Sequence, residues 1–136
     1  MRVFLDTNVL VSAFASRGLC ADLLELVLLQ HELIVSRSLL RELERALRLK
    51  VKLPARDVAA INYFLADQAA QLLESSRPAA AAVDPDDAVV LGDATGGQAQ
   101  VFVTGDAKVL ALGRHADLRI VSPRAFWEML QDEKSP

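Results

Sequence analysis

The stretch Met1–Leu10, MRVFLDTNVL, decides how the rest of the chain is read. Val3, Phe4 and Leu5 form an apolar run of the length of a short buried strand, and it stops at Asp6, Thr7 and Asn8, which are all polar and all small. In an open sheet of parallel strands, ligands and reacting groups sit just past the carboxyl ends of the strands. Asp6 therefore stands where a rigid element presents a carboxylate to the mouth of a cleft. The plainer alternative is that Asp6 only caps a helix starting at about Val9.

The 136 residues are enough for one domain, spanning 1–136, with a sizeable core. Apolar residues make up 52% and charged residues 24%, a balance that excludes a disordered chain. No apolar run has the length to span a bilayer, and the start of the chain lacks the basic segment and long apolar core of a signal peptide. The expectation is a cytoplasmic protein with no membrane association. Cys20 is the single cysteine, so no internal disulfide forms, and a small buried hydrophobe is its expected role.

The formal net charge of -3 is unevenly spread. Seven of the 15 basic residues lie between Arg37 and Arg56, while Asp84, Asp86, Asp87, Asp93 and Asp106 crowd a later stretch. An acidic pocket beside a basic strip is a different object from a uniformly acidic surface.

Working outward, Val9–Phe14 reads as a short helix broken around Ser16–Gly18, and Ala21–Gln30 as a second one. ADLLELVLLQ is apolar around nearly its whole circumference, which implies burial on more than one side, the second being either a subunit interface in a homodimer or further core packing. Leu33–Val35 is the next strand, and Ser36 or Ser38 caps the helix after it. At about 100° per residue, Leu39, Leu40, Leu43, Ala46 and Leu47 form one face of that helix, and Arg41, Arg45 and Arg48 the opposite one. Glu42 and Glu44 fall on the two borders, and periodicity does not choose between them.

Pro54 opens a helix running towards Gln71, Leu72–Glu74 is a short strand, and Arg77–Val83 is a surface loop. A helix runs from Asp86 or Asp87 to about Thr95, ended by Gly96-Gly97. Val101–Val103 is a buried strand followed, like the first, by small polar residues and a carboxylate: Thr104, Gly105, Asp106. Val109–Leu112 is a short helix, Leu118–Val121 the last strand, and Ser122-Pro123 the cap and first turn of a final helix carrying Phe126, Trp127 and Leu130. Strands alternating with helices predict a parallel α/β sheet covered on both faces.

If the strands ending at Asp6 and Asp106 are central and parallel, both carboxylates emerge at one edge of the sheet, with Asp87 on the crossover helix between them. Taken singly, each acid has an ordinary explanation as a cap, a turn residue or a first-turn acid. Their coincidence is what points to a site. Clustered carboxylates repel unless something positive lies between them. Oxygen-only ligands without convergent histidine or cysteine suit Mg²⁺ or Mn²⁺ and not zinc. Such an ion activates water and stabilises the attacking and leaving oxygens of an in-line displacement. His31 and His115 are isolated, no HExxH or GxSxG motif occurs, and Gly92–Gly97 lacks the lysine of a phosphate loop.

Four segments carry a family resemblance: LDTNVLVSA at Leu5–Ala13, LLRELERAL at Leu39–Leu47, DPDDAVVLGDA at Asp84–Ala94 and VTGDAKVLAL at Val103–Leu112. In this order the chain resembles the PIN-domain ribonucleases, in particular the VapC-like toxin components of bacterial toxin–antitoxin pairs. The resemblance implies a single-domain fold with a five-stranded parallel sheet flanked by helices. It also implies an endoribonuclease with Asp6, Glu42, Asp87 and Asp106 as its acids, of which Asp6, Asp87 and Asp106 hold Mg²⁺ or Mn²⁺. It selects Glu42 over Glu44 and gives Asn8 and Thr104 supporting roles. RNA is the implied substrate, docked along Arg41, Arg45 and Arg48, and a small antitoxin the implied inhibitor.

The chain departs from the pattern at Lys108 and Ala88, where many relatives carry further acids, and at Asp93, where relatives carry an apolar residue. The rival readings are a degenerate PIN domain that only binds a partner, and a phosphohydrolase or DNA nuclease using the same pocket.

Overall fold

The short apolar runs at Val3–Leu5, Leu33–Val35 and Val101–Val103 lie in strands, and helices fill the longer stretches between them. The computed structural model describes residues 1–81 and 83–134. In chain order the elements are β1 (Arg2–Leu5), α1 (Thr7–Ala15), α2 (Leu19–Gln30), β2 (Glu32–Ser36), α3 (Arg37–Leu49), α4 (Ala55–Gln68) and β3 (Gln71–Leu73). They continue as α5 (Pro85–Gly96), β4 (Val101–Val103), α6 (Ala107–Leu110), β5 (Arg114–His115), β6 (Leu118–Val121) and α7 (Pro123–Lys134).

The strands form one six-stranded sheet in the order β3-β2-β1-β4-β6-β5. Five of them are parallel, as the sequence predicts. The sixth, β5, is an antiparallel edge joined to β6 by a tight turn with Ala116 at φ 51°. A two-residue strand has no periodicity to read, so this corrects the five-stranded expectation. Strand β1 has β2 on one side and β4 on the other, with Val3 level with Leu33 and Leu5 level with Val103. The chain therefore leaves β1 in one direction and returns on its other side, which makes the β1/β4 boundary a topological switch point.

Packing fixes that boundary. Val3, Phe4, Leu5, Phe102 and Val103 have no measurable exposure. The rings of Phe4 and Phe102 are level across the two strands and stack with centroids 5.4 Å apart. Such a cross-strand pair stabilises the register beyond its buried area alone. At the other edge of the sheet, Arg2 clamps several elements together, donating to Glu32 at 2.7 Å, to Gln71 and to the Gly97 carbonyl.

Local boundaries differ from the sequence reading by a turn or less. Helix α1 starts at Thr7 because Asp6 is its N-cap, and α6 starts at Ala107 because Asp106 is its N-cap. Helix α4 ends at Gln68, and β3 follows as Gln71–Leu73. Ser36, not Ser38, caps α3 by accepting from Leu39 N, and Ser122 accepts from Ala125 N at the start of α7. Helix α5 begins at Pro85, so Asp87 is its third residue and not its opener. The loop expected at Arg77–Val83 is irregular as predicted, apart from Ala82, which lies outside the described residues. A side chain at Gly92 would meet the Arg77 carbonyl oxygen at 2.1 Å, so only glycine lets this loop lie directly on α5.

Helix α2 buries Leu23, Leu24 and Val27 in the core while Leu29 is 73% exposed. Cys20 is half-buried, not fully buried as expected. No helix is long and apolar enough to cross a membrane among the described residues.

Candidate functional site

The carboxyl ends of β1 and β4 deliver Asp6 and Thr104 side by side. Asp6 N bonds the Val103 carbonyl at 2.9 Å, continuing the ladder one residue past the strand. The residue on β4 level with Asp6 is thus Thr104, and Asp106 lies two residues further out, at the cap of α6. This corrects the expectation that the two acids occupy equivalent strand ends.

Asp6 is 4% exposed. Its Oδ1 accepts from Thr7 N at 2.8 Å, and its Oδ2 accepts from Thr104 Oγ1 at 2.8 Å and Asn8 Nδ2 at 3.2 Å. Thr104 Oγ1 in turn accepts from Asn8 Nδ2 and from Asp106 N, and Asn8 Oδ1 accepts from Gly105 N. Asn8 and Thr104 thus tie the two strand ends into one network. Asp106 Oδ1 accepts from Lys108 N at 2.9 Å.

Three acids share one electrostatic neighbourhood. Burial raises the Asp6 pKa, the hydrogen bonds from Thr104, Thr7 and Asn8 pull it down, and Asp106 adds to the rise. The balance is upward, so withdrawal from water outweighs the donors. Glu42 is exposed as a residue, but its carboxyl end is partly withdrawn from water. That burial raises its pKa, helped by Asp6, Asp86 and Asp87. Asp87 is raised by burial first, then by Asp106, Asp6, Asp84 and Asp86. These are the signs of negative charges facing a common space.

Two grooves open from that space. One, of about 630 Å³, is lined by Thr7, Arg41, Glu42, Arg45, Lys50 and Asp86 among others. The second, of about 480 Å³, is lined by Asn8, Ser12, Cys20, Gly105, Asp106 and Pro123 among others. Thr7 Oγ1 is buried without a partner inside bonding geometry, although it lies near enough to Glu42 to offset part of that group's rise. Among the described residues, no three His, Cys, Asp or Glu side chains stand close enough to hold an ion as they are now arranged.

Of the residues expected from the sequence, Asp6, Asn8, Thr104, Asp106, Asp87 and Glu42 converge here, and Arg41 and Arg45 line the first groove. Arg48 does not. It turns to Glu44 at 3.8 Å and lines a different groove, between α3 and α4. The same pairing carries Glu44 away from the acids, so the tertiary structure separates two glutamates that the helix period leaves equivalent.

Thr7 and Lys50 were not singled out by sequence reasoning. A threonine after a strand-end acid was a readable signal for the first, whereas Lys50 lies just past α3 and shows no pattern. Asp93, one turn and a half beyond Asp87, is 1% exposed and points away from the site. Ser76 Oγ donates to its Oδ1, and its Oδ2 has no partner among the described residues.

A family model described as PIN domain matches residues 2–108. Among solved structures, the fold is similar to VapBC2 from Rickettsia felis bound to a DNA fragment from their promoter. The TM-score there is 0.64 at 16% identity, covering 90% of this chain and 98% of that one. It is also similar to Mycobacterium tuberculosis VapC20, described as a sarcin-ricin loop cleaving toxin. In that case the TM-score is 0.60 at 14% identity, with 86% of this chain and 98% of that one covered. No curated protein sequence matches.

Proposed function

The chain belongs to the PIN-domain family, and from that premise we propose that it is a metal-dependent endoribonuclease of the VapC-like kind. The observation that carries the reading is the gathering of Asp6, Glu42, Asp87 and Asp106 about one partly buried space at the switch point of the sheet. There burial first and neighbouring carboxylates second raise the pKa values of Asp6, Glu42 and Asp87. A merely capping carboxylate would gain from its hydrogen bonds. Here the fold keeps charges together at a cost, which is the arrangement a bound cation relieves.

The donor set suits Mg²⁺ or Mn²⁺: carboxylate oxygens, with the unpartnered Thr7 hydroxyl beside them. Asp6, Asp87 and Asp106 would hold the ion, with Glu42 beside them. When bound, such an ion lowers the pKa of water and offsets charge on the attacking and leaving oxygens of an in-line displacement. The chain supplies the rest. Thr104, Asn8 and Thr7 N hold Asp6 in one orientation, and Arg41, Arg45 and Lys50 bind RNA phosphates along the adjoining groove, an attraction that weakens as salt rises.

The test is cleavage of single-stranded RNA with Mn²⁺ by the protein and its Asp6→Asn variant, beside DNA and small phosphoesters. Loss of RNA cleavage in the variant supports the reading, and equal activity in both refutes it. The similarity in fold to VapBC2, solved bound to a DNA fragment from their promoter, supports extending to this chain a small antitoxin as its inhibitor. The exposed Leu29 beside the half-exposed Phe64 offers the face for the homodimer.

A non-catalytic reading draws on the open spacing of the acids and on Ala88 and Lys108. Calorimetry showing no Mn²⁺ binding at millimolar concentration would favour it.

A further inference from the structure

Helix α4 leaves two neighbouring aromatic side chains in solvent, and they serve different surroundings. Phe64 is 42% exposed and borders an apolar groove with Leu24, Leu28 and Leu29. Tyr63 is 74% exposed and borders a seam of about 300 Å³ between α3 and α4, with Arg37, Leu40, Arg41, Glu44 and Asn62. An exposed tyrosine alone is ordinary. Its setting is not, because Arg41 lines both this seam and the groove beside the acids.

The cations that connect the two places have a fixed spacing. Arg37, Arg41 and Arg45 recur every fourth residue of α3, a step of about 6 Å along the axis. That spacing is comparable to one nucleotide of an extended single strand. Arg45 faces the groove beside the acids, Arg41 stands at the junction and Arg37 faces the seam.

Arg41 and Arg45 have no carboxylate within 4.0 Å among the described residues. Arg37 meets Glu74 at 3.2 Å in an exposed pair, of a kind that contributes little and gives way to a stronger anion. Glu44 also borders the seam, with Arg48 at 3.8 Å in an exposed pair and solvent screening its charge. Asn62 Nδ2 donates to the Leu40 carbonyl at 3.3 Å, holding α4 against α3 so that the seam is formed in advance.

Resting on the nuclease reading above, we propose that the α3–α4 seam is a second nucleotide subsite. In it, Arg37 and Arg41 take a phosphate of the single-stranded RNA leaving the acidic pocket, and Tyr63 stacks on the base that follows. Aromatic stacking is tolerant of sequence, and cationic grooves track the backbone, the combination used by single-strand binders generally. The subsite therefore adds affinity for longer RNA without selecting a base.

The test is fluorescence anisotropy without added divalent metal, using labelled single-stranded RNAs of about three and about twelve nucleotides. Tyr63→Ala is expected to weaken binding of the longer RNA by about five- to a hundredfold, the range of one stacked base. The shorter RNA is expected to bind unchanged. Tyr63→Phe should retain the affinity, since the ring and not the hydroxyl does the stacking.

Unchanged binding of the longer RNA by Tyr63→Ala, or equal loss for both lengths, overturns the subsite. If the intact protein still cleaves RNA, the nuclease reading survives that result. A protein that neither binds nor cleaves RNA removes both. Binding of polyglutamate that needs Tyr63 while RNA binding does not would assign the seam to an acidic protein partner instead and overturn the proposal.

Discussion

Asp6 and Asp106 follow apolar strands in near-identical sequence contexts, yet they occupy different mechanical situations. Asp6 continues β1 itself, is 4% exposed and takes three donors. Asp106 lies three residues past β4, is half-buried and caps the four-residue helix α6 through Lys108 N. Thr104, level with Asp6, links them by donating to the first carboxylate and accepting from the backbone of the second residue. One acid is thus anchored on the sheet, and the other is presented by a short helix beyond the strand, tied back through Asn8 and Thr104. On the nuclease reading proposed above, the first would be the fixed ligand and the second the one with fewer bonds to its carboxylate.

The largest effect expected from this contrast is at the anchored end. Residues that only orient a metal ligand already cost about 10–100-fold in affinity or activity when removed, so Asp6→Asn should lower RNA cleavage by more than about a hundredfold. Raising Mn²⁺ should not restore it. Asp106→Asn should also lose activity at low Mn²⁺ but recover part of it at high Mn²⁺, because its side chain is held by fewer bonds. Metal titrations of cleavage rate for the two variants decide this, and identical curves would show that the difference in anchoring has no chemical consequence.

The anchored half of the site was also the legible half. An apolar tripeptide followed by DTN names a strand, its end and an acid at that end, and Val101–Val103 repeats the signal strongly enough to predict a parallel α/β fold. What the sequence could not show was register. Only the pairing of Leu5 with Val103 reveals that Thr104, and not Asp106, is level with Asp6. The helix period likewise leaves Glu42 and Glu44 symmetric about the face of α3. The docking of α4 breaks that symmetry by giving Glu44 and Arg48 a groove of their own, which also removes Arg48 from the strip expected to face RNA. Asp93 illustrates a third limit, because a buried acid on α5 is recognisable only once Ser76 is seen to reach it.

That broken symmetry is a second way to test the contrast. Glu42→Gln should reduce cleavage by about 10–100-fold, as expected for a residue beside the metal ligands. Glu44→Gln, which loses only an exposed pair with Arg48, should stay within about twofold, since such pairs contribute about 0–1 kcal/mol. Parallel kinetics of the two variants provide the comparison. Equal losses would mean that charge density near the RNA strip matters and position does not.

Thr104→Val tests the link itself. Valine keeps the shape but leaves Asp6 Oδ2 with only the longer bond from Asn8 Nδ2, and Asp106 N without its acceptor. Removing one partner from a buried polar group costs about 1–3 kcal/mol, so denaturant unfolding should show destabilisation of that order. Activity should fall less than in Asp6→Asn, because the carboxylate remains. Wild-type stability in this variant would mean that water replaces the hydroxyl and that Thr104 is not what joins the two ends.

The smallest effect concerns the charge held at this edge of the sheet when no cation is present. Asp6, Glu42 and Asp87 all have raised pKa values in the folded chain, with burial as the leading cause. The folded state therefore binds protons more tightly than the unfolded state. Stability associated with these groups is full below the ordinary carboxyl value near 4 and is lost as pH rises from there through the raised values. Chelated protein should consequently melt higher at mildly acidic pH than at neutral pH. The gain should be small, because Glu42 is exposed as a residue and solvent screens part of the repulsion. Mn²⁺ at neutral pH should restore the same increment by neutralising the acids instead of protonating them. Asp87→Asn should flatten the pH dependence, because it removes a charge that repels Glu42 and is itself repelled by Asp6 and Asp106. A melting temperature independent of pH in the chelated protein, or unchanged by Mn²⁺, would mean that these acids stand too far apart in solution to act as one site.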